Sequence, residues 1–230
     1  MKKYQISETG KHNKKVVFLL EGWHSKLWMY WLFSRILSLR GYYCITYAYD
    51  SEIFSPDTQK TVKYLNIIQN DILLRLKTLK NEGYVEFNIL GTSLGSMLAL
   101  MVADKSPDIS KVILNTIGID ISETVWGWNK IYPGFKEELI RQNFTPDKLK
   151  KVWKSITPVN NISNLKNKKI LVYLSKKDEV IPYDLGMSLV EEFKKRNYKY
   201  SLKVNNYLKH FYAGFYNLMN AKYYLKFLAD

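Results

Sequence analysis

Val85-Glu86-Phe87-Asn88-Ile89-Leu90 runs straight into Gly91-Thr92-Ser93-Leu94-Gly95, and an apolar stretch from Ser96 to Ala103 follows. The first six residues read as a β-strand and the last eight as a helix ended by the Ser106-Pro107 break. Between them stands Gly-x-Ser-x-Gly, the form of a nucleophile elbow in the context that an elbow requires. So tight a turn holds its serine at strained backbone angles, and side chains two residues either side would clash. The Ser93 hydroxyl then projects at the carboxyl edge of a sheet. The helix that follows aims its N-terminus at the same place, where a developing oxyanion is favoured.

Working outward, strand and helix patterns alternate. Lys15–Leu20, Tyr42–Tyr49, Lys111–Ile119, Lys169–Leu174 and Tyr200–Val204 are further strands. Helices are expected over Leu27–Leu39, Thr58–Leu79, Tyr183–Lys195 and Gly214–Leu228, with Ile67, Ile68, Ile72, Leu74 and Leu76 marking the apolar positions of the second. Residues 2–6 are a candidate edge strand. This alternation predicts βαβ units in an α/β fold: a mostly parallel sheet of about six or seven strands flanked by helices. The 230 residues fit one domain. About 48 residues between Ile119 and Lys169 exceed what one crossover needs. Phe135–Phe144 reads as a helix there, and Thr145-Pro146-Asp147 opens another with an N-cap, an N1 proline and an acidic first turn. We read residues 121–165 as a small helical cap over the carboxyl edge.

A serine nucleophile needs a base, and the base an orienting acid. The chain has three histidines. His12 lies in a polar loop and His24 follows the first core strand. His210 follows the last strand, the place that suits the chain order serine, acid, histidine. For the acid, Asp178 falls just past strand Lys169–Leu174, where a loop can turn it to the site. Asp120, after the preceding strand, is the competitor, and Glu179 is expected to point elsewhere.

On Gly91–Gly95, Asp178-x-x-Ile181-Pro182 and His210-Phe211 the chain resembles the α/β-hydrolase superfamily of serine hydrolases, from Lys15 to the C-terminus. The resemblance implies Ser93 as nucleophile, His210 as general base and then acid, and Asp178 as its orienter. It implies an oxyanion hole made by the backbone N–H of Leu94 and that of Trp23 in the loop Glu21-Gly22-Trp23. The cap, inserted after the fourth of the six strands, matches where that family places its lids. A serine at the elbow argues against the dehalogenase and epoxide-hydrolase branches. Two departures stand out. Glu21-Gly22 replaces the His-Gly of many relatives, and Asp50 is followed by Ser51-Glu52-Ile53-Phe54 without the usual glycine.

All six tryptophans fall in two segments: Trp23, Trp28 and Trp31 after the first core strand, and Trp126, Trp128 and Trp153 in the cap. Facing each other, they would line an aromatic pocket for an acyl chain or aromatic group, or simply bind cap to body. His24, Trp126, Trp128 and Trp153 are the substrate-binding candidates. The net charge is +14, yet only five of 35 basic residues are Arg, so the planar fork of nucleic-acid readers is scarce. The basic stretch Lys148, Lys150, Lys151, Lys154 reads as a solvated face. One cysteine, Cys44, in an apolar run, excludes intrachain disulfides and reads as a core residue. No metal, phosphate-loop or dinucleotide motif appears, and no run has a membrane span's length. The expectation is a cytoplasmic, cofactor-free serine hydrolase of a small acyl ester or thioester, with no nucleic-acid partner. Amide hydrolysis, acyl transfer and a non-catalytic binding role on the same fold are the alternatives.

Overall fold

The computed structural model describes residues 4–25, 27–128, 132 and 134–230. Seven strands form one sheet: β1 (Tyr4–Thr9), β2 (Lys15–Leu20), β3 (Tyr42–Tyr49), β4 (Glu86–Thr92), β5 (Ile109–Asn115), β6 (Lys169–Ser175) and β7 (Lys199–Asn205). Their order is β1-β3-β2-β4-β5-β6-β7. β1 is antiparallel to β3, and every other pairing is parallel. Nine helices accompany them among the described residues: α1 (Leu27–Ser38), α2 (Thr58–Asn81), α3 (Leu94–Lys105), α4 (Ile121–Trp126), α5 (Phe135–Arg141), α6 (Pro146–Val152), α7 (Tyr183–Lys195), α8 (His210–Met219) and α9 (Ala221–Ala229).

Successive strand residues point to opposite faces, so a sheet covered on both sides needs apolar residues at every position. Val17, Leu19, Cys44 and Ile113 pack under α1, α8 and α9. Val16, Phe18, Leu20 and Ile45 pack under α2, α3 and α7. Cys44 is buried, and burial pushes its thiol up to about 12, as befits a core cysteine. β2 is flanked by β3 on one side and β4 on the other, so the crossovers diverge there. The loops after β2 and β4 bound the crevice that this switch in strand order opens at the carboxyl edge.

Several boundaries differ from expectation. The edge strand covers 4–9, and residues 2 and 3 lie outside the described residues. β5 stops at Asn115 rather than Ile119, because Thr116 takes φ 58° and turns the chain out of the sheet. The expected final helix is two, beginning at His210 and broken at Asn220. On α2 the inward face is Leu65, Ile68, Ile72, Leu76 and Leu79, whereas Ile67 and Leu74 are exposed. Between β5 and β6 lie α4, α5, α6 and a 3-10 turn at Pro158–Asn160. Thr145 caps α6 by accepting the Lys148 N–H. Among the described residues no helix is long and apolar enough to cross a membrane.

Candidate active site

Ser93 stands between β4 and α3 with φ 55° and ψ −118°, a strained conformation for a residue with a side chain. Its N–H donates to the Asn115 carbonyl at 2.8 Å. A Cβ on Gly91 would fall 2.1 Å from the Gly95 carbonyl oxygen, and one on Gly95 would fall 2.1 Å from that of Leu20. Both glycines are therefore demanded by backbone packed against backbone.

The structure brings Ser93, His210 and Asp178 together from three loops. His210 Nε2 lies 3.0 Å from Ser93 Oγ. His210 Nδ1 lies 2.9 and 2.8 Å from the two oxygens of Asp178. A donating Nδ1–H leaves Nε2 free to accept the serine proton. Asp178 Oδ1 also accepts the N–H groups of Val180 and Ile181, at 2.9 and 2.8 Å, which fixes the carboxylate's orientation. Asp120 sits elsewhere. It caps α4 by accepting from Ser122 and Glu123 and pairs with Lys150 of α6 at 3.1 Å. Burial alone would raise its pKa, but hydrogen bonds from Ser122 and Lys150 outweigh that and hold it below the ordinary value.

Further residues, to which the sequence reading gave no such role, hold the histidine. Glu179, expected to point elsewhere, accepts the His210 backbone N–H at 3.0 Å and lines the cavity. The Ser175 hydroxyl donates to the Leu208 carbonyl. Asn115 at the end of β5 donates to the Gly214 carbonyl at 2.9 Å, and Asn217 donates to the Asn115 side-chain oxygen at 2.7 Å. These two bonds clamp α8, and with it His210, to the sheet. Both amides are buried, which the structure alone reveals.

Among the described residues the backbone N–H groups of Trp23 and Leu94 donate to no protein acceptor. Both residues line one cavity of about 340 Å³ with Ser93 and His210. That volume suits a small-molecule ligand. One wall is aromatic: the Trp23 ring lies 6.1 Å from Trp128, 4.8 Å from Tyr132 and 5.3 Å from Phe54. His24, at φ 62°, packs on Trp23 at 4.2 Å and also lines the cavity. Two of the four substrate-binding candidates are not in the lining. Trp153 is fully buried, donating its indole N–H to the Thr58 carbonyl and packing on Phe54, so it binds the inserted helices to the body. Trp126 lies under the Lys136 ammonium at 5.5 Å. Trp28 and Trp31 point outward.

Glu21 follows β2 directly, beside this site. It is fully buried, and neither carboxylate oxygen has a hydrogen-bond partner. Burial pushes its pKa from 4.5 up to about 8. The folded protein thus keeps the proton that the unfolded chain releases near pH 4.5, and stability should fall as pH rises through the window from there to about 8. Glu21→Gln removes this dependence. Relative to the variant, the wild type should lose on the order of 3–5 kcal/mol across that window, read from denaturant unfolding at several pH values. Parallel pH profiles for the two proteins would refute it.

A sequence model of the prolyl oligopeptidase family matches residues 63–230. Solved structures resemble the fold at low identity. An acylaminoacyl peptidase from Pyrococcus horikoshii aligns with a TM-score of 0.69 and 16% identity, over 94% of this chain and 37% of that one. Est1E from Butyrivibrio proteoclasticus, with ferulic acid bound, aligns at 0.66 and 15%, over 98% and 94%. An esterase from Pyrococcus furiosus aligns at 0.68 and 16%, over 98% and 90%. No curated protein matches the chain at the level of sequence. With this fold, and with a family match over residues 63–230, the chain belongs to the prolyl oligopeptidase family, within the α/β-hydrolase superfamily of serine hydrolases.

Proposed function

We propose that the protein hydrolyses a carboxylic ester or thioester of a small acyl group through an acyl-enzyme on Ser93. The 3.0 Å contact between Ser93 Oγ and His210 Nε2, with Asp178 on the other ring nitrogen, is the observation that carries this reading. His210 takes the hydroxyl proton as Ser93 attacks the carbonyl carbon. The developing oxyanion lies against the free amides of Trp23 and Leu94. Asp178 stabilises the imidazolium, which then protonates the leaving alkoxide or thiolate. A water deprotonated by His210 releases the acid and restores the serine. These steps use side chains, the two backbone amides and water. Residues 121–165 act as the cap, and the acyl group packs against Trp23, Phe54 and Trp128.

Family membership and the acylaminoacyl peptidase neighbour favour a second reading, cleavage of an acyl-amino-acid amide. An aromatic-walled cavity of about 340 Å³ supports the ester reading, because it suits one compact acyl group better than an extended peptide. A fluorophosphonate probe should label the wild type and not Ser93→Ala. No labelling of folded wild type would overturn the catalytic assignment. p-Nitrophenyl esters and acyl thioesters of increasing size, run beside acyl-amino-acid anilides, separate the two readings. Faster turnover of the anilides would select the peptidase one.

A further inference from the structure

Helices α1 and α8 are apolar on both sides. On α1, Tyr30, Phe33 and Leu37 are buried against the sheet. Trp28, 66% exposed, with Trp31 at 57% and Leu32, occupies the opposite side at i, i+3 and i+4. On α8, Ala213, Asn217 and Leu218 face inward, while Phe211 and Tyr212, 59% and 64% exposed, and Tyr216 face outward. A helix apolar all round is ordinarily enclosed. Here the outer halves stand exposed.

The two helices pack against each other. Met29 of α1 and Phe211 and Phe215 of α8 line the cavity, and Phe211 and Phe215 are also exposed, so the cavity reaches the surface beside the patch. The segments that hold α1, α8 and α9, Gly22–Tyr49 and Asn206–Ala229, contain no Asp or Glu, against six Lys and Arg. Arg35 lies over the Trp31 ring at 5.3 Å and Lys203 over the Tyr223 ring at 5.3 Å, so basic groups stand within the aromatic surface.

We propose that this face docks on an anionic lipid surface. Tryptophan and tyrosine rings settle at the level of headgroups, where their apolar body and polar edge are both accommodated. Lys and Arg gain from lipid phosphates at the same depth. A second copy of the chain fits less well, because an isologous contact sets basic against basic with no acid in either segment. Docked this way, the cavity mouth opens toward the bilayer, and an acyl compound dissolved in lipid reaches Ser93 without crossing water.

Vesicles of phosphatidylcholine with phosphatidylglycerol should sediment the full chain, and vesicles of phosphatidylcholine alone should sediment far less. Ser93→Ala should bind equally, which separates docking from the hydrolytic reading. The pair Trp28→Ser/Trp31→Ser, outside the cavity lining, should weaken the partition coefficient about tenfold. Arg35→Gln/Lys203→Gln should do the same by removing two positive charges from the face, and unchanged fluorophosphonate labelling should show each variant folded. No binding to the anionic vesicles, or binding indifferent to both variants, overturns the proposal. So does a concentration-dependent dimer that the tryptophan pair abolishes, which would give the face to a second copy.

Discussion

His210→Ala should lower kcat/KM toward an activated ester by about 10⁴- to 10⁶-fold, with the fold intact by circular dichroism. The imidazole is the single group within hydrogen-bond reach of Ser93 Oγ among the described residues, at 3.0 Å. Without it the hydroxyl keeps its proton, and the free amides of Trp23 and Leu94 act alone. Asp178→Asn should cost about 10⁴-fold, because an amide cannot hold the tautomer that leaves Nε2 unprotonated. Ser93→Ala/His210→Ala should be no worse than either change alone, since the residues act as a unit. Asp120→Asn is the internal control. Its carboxylate serves Ser122, Glu123 and Lys150, so turnover should stay near wild type. A His210→Ala enzyme within tenfold of wild type would remove histidine from the mechanism.

Gly95→Ala should be the most damaging small substitution to stability. The added methyl would lie 2.1 Å from the Leu20 carbonyl oxygen and 2.5 Å from that of Glu21, both backbone atoms at the end of β2. Neither can swing away as a side chain could. The cost is expected at about 3 kcal/mol or more, lowering Tm by roughly 6–12 °C for a chain of this size. Whatever relaxation occurs pushes the Glu21–Trp23 turn away from Ser93, so labelling should fall with stability. Gly83→Ala is the comparison. Gly83 has φ +81° but nothing within 4 Å of an added Cβ, so only backbone strain of about 1 kcal/mol is at stake. Equal melting temperatures for the two variants would show that the close approach is not what Gly95 provides.

Gly91–Gly95 was legible because an elbow is local: strand, strained serine and helix are set by adjacent residues. His210 was legible by scarcity, as one of three histidines. Asp178 was legible because a loop after a strand has little reach. What holds His210 was not, since Asn115 and Asn217 meet across 102 positions and nothing local distinguishes them from surface amides. Trp128 and Trp153 show the same limit. Both lie between β5 and β6, and only packing decides that one lines the cavity while the other is sealed against Thr58 and Phe54. Ile67 and Leu74 extend an apolar pattern on α2 that the sheet does not use. Asn220 divides the last helix because an asparagine, poor within a helix, ends α8 with its N–H on Asn217 and Tyr216.

The strand order also divides the site by mechanical station. Ser93 and the Trp23 loop spring from β4 and β2, neighbours in the middle of the sheet, while His210 follows β7, an outer strand with residues largely open to solvent. Cooperative unfolding units at a sheet's margin open at lower free energy than its centre. Fraying of β7 and α8 would carry the histidine off while the serine stayed strained in its turn. Hydrolytic activity would then gauge an outer margin of the sheet, and inactivation on warming is expected to precede the loss of the sheet itself.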